Sequence, residues 1–153
     1  MQKSVYWLAI ARKEGGKPAE VLDRAVALAG YKNAASAKLT NDALLRNLDI
    51  AEKLGCLNDE GLAEMRRGKA ATVMKGPYQG DQLSVDHIIP RVVVPELDNV
   101  IANLELMQMR MNESKNAKIG QRQRDMARKF YEAGLLSEKG MEAVLRSGNA
   151  LSR

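Results

Sequence analysis

Apolar residues recur at three- and four-residue spacing early in the chain, in Val5, Leu8 and Ala9 and again in Val21, Leu22, Ala25, Val26 and Leu28. That period puts them on one side of successive α-helices, so the N-terminal part reads as helices packed through these faces. Pro18 suits the first turn of one helix and Gly30 its end. Thr40 and Asn58 are the expected N-caps of the next two, which end near Gly55 and Gly68. The rhythm breaks at Gly76, Pro77 and Gly80, and a β-prone run, Leu83 to Ile89, follows. After Pro90 comes a loop holding Pro95 and Asp98, then a strand-like piece, Leu104 to Met107, then a polar helical segment from Arg110 to Lys118. From Gln121 onward two more helices are expected, divided at Gly134, with Ser137 capping the second.

The expected fold is therefore mainly α with a small β-hairpin, in one domain over 1–153. A helical segment, 1–71, and a C-terminal helical hairpin, 121–153, flank a strand-loop-strand-helix unit at 75–120. Gly55, Leu57, Gly61 and Arg67 are echoed at constant offset by Gly134, Leu136, Gly140 and Arg146. Helical hairpins with a glycine stop and a polar cap resemble each other for physical reasons, so the echo carries no functional weight.

Composition narrows the class. A length of 153 residues suits a single domain with its own core, and eight Met against one Trp, four Tyr and one Phe point to packing by aliphatic and thioether side chains. Lys and Arg outnumber Asp and Glu by 24 to 19, a net charge of +5 that favours an acidic polymer as partner. One cysteine, Cys56, excludes an intramolecular disulfide and a Cys-rich zinc site, and reads as a small core hydrophobe. The apolar stretch Val5 to Ala11 is far shorter than the roughly 20 residues of a membrane span, and without a small-residue cleavage site it reads as a helix face. A cytoplasmic protein with no membrane partner is expected, or a secreted one if a signal peptide was removed.

The only histidine, His87, directly follows an acid in the run Ser84, Val85, Asp86, His87, Ile88, Ile89, Pro90. Neighbours on a strand point to opposite faces, so Asp86 and His87 need different partners. A histidine alone in an apolar strand is an ordinary structural residue; its company changes the reading. Sixteen residues on stands Asn103, followed by Leu104, and nine further Asn112 opens the run Asn112, Glu113, Ser114, Lys115, Asn116, Ala117, Lys118. From Leu83 to Gly120 this resembles the HNH endonuclease family, the ββα-metal nucleases, in a His-Asn-Asn variant. The family's pattern is an Asp-His pair among aliphatic residues and a proline, a middle Asn before Leu, and a final His or Asn ahead of a Lys.

The resemblance implies a ββα-metal core embedded between the helical segments, and a metal-dependent endonuclease that hydrolyses DNA phosphodiesters. His87 matches the general base, and an imidazole with an ordinary pKa near 6.5 can accept a proton from water at neutral pH. Asp86 and Asn112 match oxygen ligands of a divalent cation, with Asn116 one turn on as a third candidate. Hard oxygen donors suit Mg2+ or Mn2+, and with no spare histidine Zn2+ is disfavoured. Asn103 matches the middle Asn, whose amide holds the backbone of the base; Asn99 fits the spacing less well.

Basic residues supply a grip on the polyanion: Arg110, Lys115, Lys118, Arg122, Arg124, Arg128 and Lys129 stand against Glu113 and Asp125. Lys115 and Lys118, expected on the motif helix, should lie closest to the scissile phosphate, with Arg66, Arg67 and Lys69 as a second contact ahead of the first strand. Phosphate contacts position a substrate without specifying its sequence, and no zinc-finger spacing or aromatic platform offers a readout, so little sequence specificity is expected. RNA stays open beside DNA, since attack at phosphorus needs nothing from the base or the 2′ position. The main rival is a catalytically silent HNH-like module that binds nucleic acid, against which the intact Asp86, His87, Asn103, Asn112 set argues. A second is a helical interaction protein with an accidental motif, in which Asp86 and Asn112 would point apart. A monomer can nick one strand while a homodimer suits a double-strand cut, and the sequence does not choose.

Overall fold

The computed structural model describes residues 1–29, 33–115 and 117–151; the expected helix stop Gly30 and the candidate ligand Asn116 lie outside the described residues. Four helices come first, α1 (Gln2–Lys13), α2 (Pro18–Ala29), α3 (Ala34–Lys53) and α4 (Asp59–Arg66). Strand β1 (Leu83–His87) leads through two 3-10 turns, Pro95–Leu97 and Ile101–Asn103, into β2 (Leu104–Gln108) and the short α5 (Met109–Ser114). Helices α6 (Gln121–Glu132) and α7 (Glu138–Leu151) complete a mainly helical chain. The strands pair antiparallel, Leu83 opposite Gln108 through His87 opposite Leu104.

Local chemistry sets most helix ends. Asn58 caps α4 by accepting from the Gly61 N–H at 2.7 Å, a contact of a kind that contributes about 1 kcal/mol. Thr40 is not a cap: it lies inside α3, its hydroxyl donating to the Ser36 carbonyl at 3.0 Å, and Asn33 caps the helix through the Ser36 N–H. Burial of Ala37 on the same face as Leu44 and Leu48 extends α3 a full turn and more ahead of Thr40. The motif helix is also shorter than expected, because α5 ends at Ser114 and the backbone turns extended at Lys115. Ile119 is buried in the second core described below, and delivering it there takes the chain off the helical path, so Lys118 is not on the helix.

The echo between the two helical hairpins has a steric origin. Gly55 and Gly134 close helices in the left-handed region, with φ of +72° and +78°. Three residues beyond each, Asn58 and Ser137 cap the next helix. Gly61 and Gly140 then occupy the third helical position, where a Cβ would sit 1.9 Å from the Cys56 carbonyl oxygen and 2.1 Å from Glu96 Oε1 respectively.

Two apolar cores form. In the first, Val5, Leu8, Leu22, Leu48, Met65 and Val73 from the N-terminal half close over Leu83 and Leu106 of the strands. In the second, Ile89, Val94, Leu97 and Ala102 from the connection between the strands join Ile119 with Ala127, Phe130 and Val144 of α6 and α7. Cys56 is fully buried in the first core, and burial pushes its thiol up to about 11, the behaviour of an inert hydrophobe. The strands thus belong to the first core, and the chain leaving β1 enters the second at Ile89.

The outer edge of β2 is satisfied by a side chain in place of a third strand. Buried Asn47 of α3 accepts from the Leu106 N–H at 2.8 Å and donates to the Leu104 carbonyl at 3.0 Å. A short sheet of this kind would otherwise offer an open edge to other chains. Among the described residues no helix is long and apolar enough to cross a membrane.

Candidate active site

Strand alternation distributes the polar groups at the end of β1. Val85 packs against the first core, while Ser84 and Asp86 turn toward α5, where Asn112 Nδ2 donates to Ser84 Oγ at 3.0 Å and Lys115 pairs with Asp86. His87, last in the strand, turns to the loop instead, its Nε2 lying 3.0 Å from the Asp98 carbonyl oxygen and 2.9 Å from Asp98 Oδ1. Asp86, His87, Asn112 and Lys115, together with Pro90, Arg91, Val92 and Ala117, line one open cleft of about 370 Å³. Asp86 and Asn112 therefore open onto the same space and do not point apart.

The partners of His87 fix its tautomer. Both Asp98 oxygens are acceptors, so Nε2 must carry a proton, and in the neutral ring Nδ1 is left as the basic lone pair. Asn112 is fixed by the same reasoning. Its Nδ2 also lies 3.4 Å from the Val85 carbonyl, which can only accept, so the amide NH2 faces the strand and Oδ1 is its remaining acceptor. Asp86 is 8 % exposed, and a carboxylate so far out of water requires a cation close by. The Lys115 ammonium supplies one and lies 3.3 Å from the His87 carbonyl oxygen as well.

Behind the cleft, fully buried Asn103 clamps the residue two beyond His87. Its Oδ1 accepts from the Ile89 N–H at 2.9 Å and its Nδ2 donates to the Ile89 carbonyl at 3.0 Å, while its own carbonyl accepts from the Ile88 N–H at 2.9 Å. The chain is thereby held in register past the end of the strand. Asn99 is exposed and does not make this contact.

The basic residues divide. Lys115 is in the cleft, and exposed Lys118 follows three residues on. Arg110 is committed elsewhere: its N–H donates to Asp81 Oδ2 at 2.8 Å, its Nε lies 3.7 Å from the same oxygen, and its guanidinium stacks over Tyr78. That backbone donor holds the Asp81 carboxyl below the usual carboxylate range. Arg122 pairs with Glu105, which also lies 3.4 Å from Nε of the half-buried Arg46. Burial holds the Arg46 guanidinium below its ordinary range, with Glu105 opposing. Arg67 pairs with Glu64 and lines a separate hollow with Asn58 and Thr72, and Lys69 is exposed beyond it.

Three contributors escape the sequence pattern. Arg91 lines the cleft directly after the motif proline, a position that could have singled it out. Asp98 is an ordinary loop acid until the loop folds back on His87. The grip of Lys115 on Asp86 appears only once α5 is docked against the strand. Among the described residues no group of three or more His, Cys, Asp or Glu side chains could hold a metal, so any ion here would depend on one carboxylate, amide and carbonyl oxygens, water and substrate. No family model, curated protein or solved structure matches the chain.

Proposed function

We propose that this chain is a metal-dependent endonuclease of the HNH, or ββα-metal, class, hydrolysing phosphodiester bonds of DNA in the cleft at the end of β1. The observation that carries the reading is the placement of His87: its Nε2 lies against two Asp98 acceptors, which leaves Nδ1 as the acceptor of the neutral ring, and the residue lines the same cleft as Asp86 and Asn112. The position beside Asp86 suits a cation, since the Lys115 ammonium already bridges the Asp86 carboxylate and the His87 carbonyl as a stand-in. Asp86 and Asn112 Oδ1 are hard oxygen donors, the chemistry that suits Mg2+ or Mn2+ and leaves coordination positions for water and phosphate. Such an ion would be held by Asp86 and Asn112 and would supply positive charge to the phosphate under attack.

His87 Nδ1 takes a proton from a water molecule as its oxygen bonds to phosphorus in line with the 3′ oxygen. The P–O3′ bond breaks, its electron pair leaves on the 3′ oxygen, and that oxygen gains a proton from solvent. The products carry a 5′-phosphate and a 3′-hydroxyl, and the imidazolium returns its proton to water. Arg91, which lines the cleft, and exposed Lys118, next in sequence to the lining residue Ala117, contact neighbouring phosphates, a grip that is sequence-independent and weakens with salt. Asp98 orients the imidazole, and Asn103 holds the backbone that carries it.

An end-labelled duplex and its single strands, incubated with Mg2+, Mn2+, Zn2+ or EDTA, test the reading. Cleavage is expected with Mg2+ or Mn2+, leaving 5′-phosphate ends, and none in EDTA. Asp86→Ala should lower the rate by roughly a hundredfold or more at fixed metal concentration, as loss of a ligand does. Products carrying a 3′-phosphate or cyclic phosphate, or cleavage that persists in EDTA, would contradict it.

A further inference from the structure

We infer that Lys115 couples metal binding to substrate binding, its ammonium giving up Asp86 to the divalent ion and taking the scissile phosphate as its new counter-ion. The inference rests on the proposed function and concerns how the same cleft is loaded.

Asp86 is almost wholly withdrawn from water, so its charge needs compensation whether or not substrate is present. Lys115 provides that compensation through Asp86 Oδ2 and the His87 carbonyl oxygen. Asp86 and Asn112 line the same cleft, and the Lys115 N–H donates to the Asn112 carbonyl at 3.2 Å, so ligand and competing cation sit on one turn of backbone. A divalent ion engaging the Asp86 carboxylate meets an ammonium already on it, and two cations on one carboxylate repel strongly where water is scarce. One must leave. The lysine can do so because it follows the end of α5, its side chain is 30 % exposed, and four rotatable bonds let the ammonium swing into the open cleft.

Once displaced, the ammonium lacks an anion. Asp98 is occupied by His87 and approached by Arg91, and no other carboxylate lines the cleft among the described residues. A phosphodiester in the cleft supplies the missing negative charge. Metal and nucleic acid should therefore bind synergistically, each raising affinity for the other by the same factor, as linkage requires. Without nucleic acid, the lysine keeps metal affinity low.

The test measures Mn2+ affinity from the electron paramagnetic resonance signal of the free ion, with and without a short DNA duplex and corrected for Mn2+ bound by duplex alone. A His87→Ala background suppresses turnover while retaining the backbone carbonyl that Lys115 contacts. Without duplex, Lys115→Met in this background should bind Mn2+ roughly tenfold more tightly than its parent, equivalent to about 1.4 kcal/mol. Duplex should tighten binding by the parent roughly tenfold and by the methionine variant less than about threefold. Lys115→Gln serves as a second variant if the methionine perturbs folding, checked by thermal melting. Affinity unchanged or weakened on removing the lysine, with Asp86→Ala still weakening Mn2+ binding, overturns the coupling and leaves the metal site standing. Asp86→Ala binding Mn2+ as tightly as the parent overturns the metal reading and the coupling with it.

Discussion

His87→Ala should slow phosphodiester cleavage by roughly 10²- to 10⁴-fold, the usual contribution of one positioned proton acceptor. No other histidine exists in the chain to take over the proton. The ring is partly exposed, with its Nε2 against Asp98, so removing it should leave folding nearly unchanged and spare the Asp86 and Asn112 oxygens. The loss should accordingly fall on kcat, with metal affinity and duplex retention changed by less than about threefold. Initial rates at saturating Mn2+, measured beside metal titrations of both proteins, check this. A variant rate within about threefold of the unmodified chain would assign the proton to another acceptor.

The second large effect is on stability. Asn103→Ala should lower the free energy of unfolding by about 3 kcal/mol, because it leaves the buried N–H and carbonyl of Ile89 without partners, each at about 1–3 kcal/mol. No water can readily replace the amide where Asn103 itself has no exposed surface and Ile88 and Ile89 are buried with it. Asn103→Asp should also destabilise, since a carboxylate can accept from the Ile89 N–H but cannot donate to the Ile89 carbonyl. Urea unfolding measures both. The same clamp holds the backbone two residues beyond His87, so the alanine variant should lose activity even at temperatures where it remains folded. A change in unfolding free energy below about 0.5 kcal/mol would show that the clamp is energetically idle.

The helices are legible because burial of one face imposes a period that Val5, Leu8, Ala9 and Leu22 keep, although Ala25 and Leu28 of the same expected face are exposed. Asn58, Gly55, Gly68 and Gly134 mark ends through local steric and hydrogen-bonding rules that need no tertiary information. Thr40 differs from its expected role because a cap and a hydroxyl bonded one turn back look alike in sequence; burial along α3 decides between them. The length of α5 is not legible for a similar reason, since the chain turns extended at Lys115 and carries Ile119 to a core assembled with α6 and α7.

At the cleft, the run from Asp86 to Asn112 marked four residues that gather around one strand end, as strand alternation and a short connection allow. The contacts of Asp98 with His87 and of Lys115 with Asp86 are not legible in the sequence. Each joins segments eleven or more residues apart, and aspartate and lysine are residue types that occupy solvent in most loops. Arg110 and Arg122 show what a count of cations along the chain leaves out, because it does not reveal their pairing with Asp81 and Glu105.

The most direct test of the account is the fate of supercoiled plasmid incubated with the intact chain and Mg2+ or Mn2+, beside a lane with EDTA. Relaxed circles, then linear DNA, should accumulate with metal, while the EDTA lane stays supercoiled. Plasmid that remains supercoiled with either ion, while the protein retards it on a gel, would contradict hydrolysis and identify the cleft as a nucleic-acid-binding surface alone.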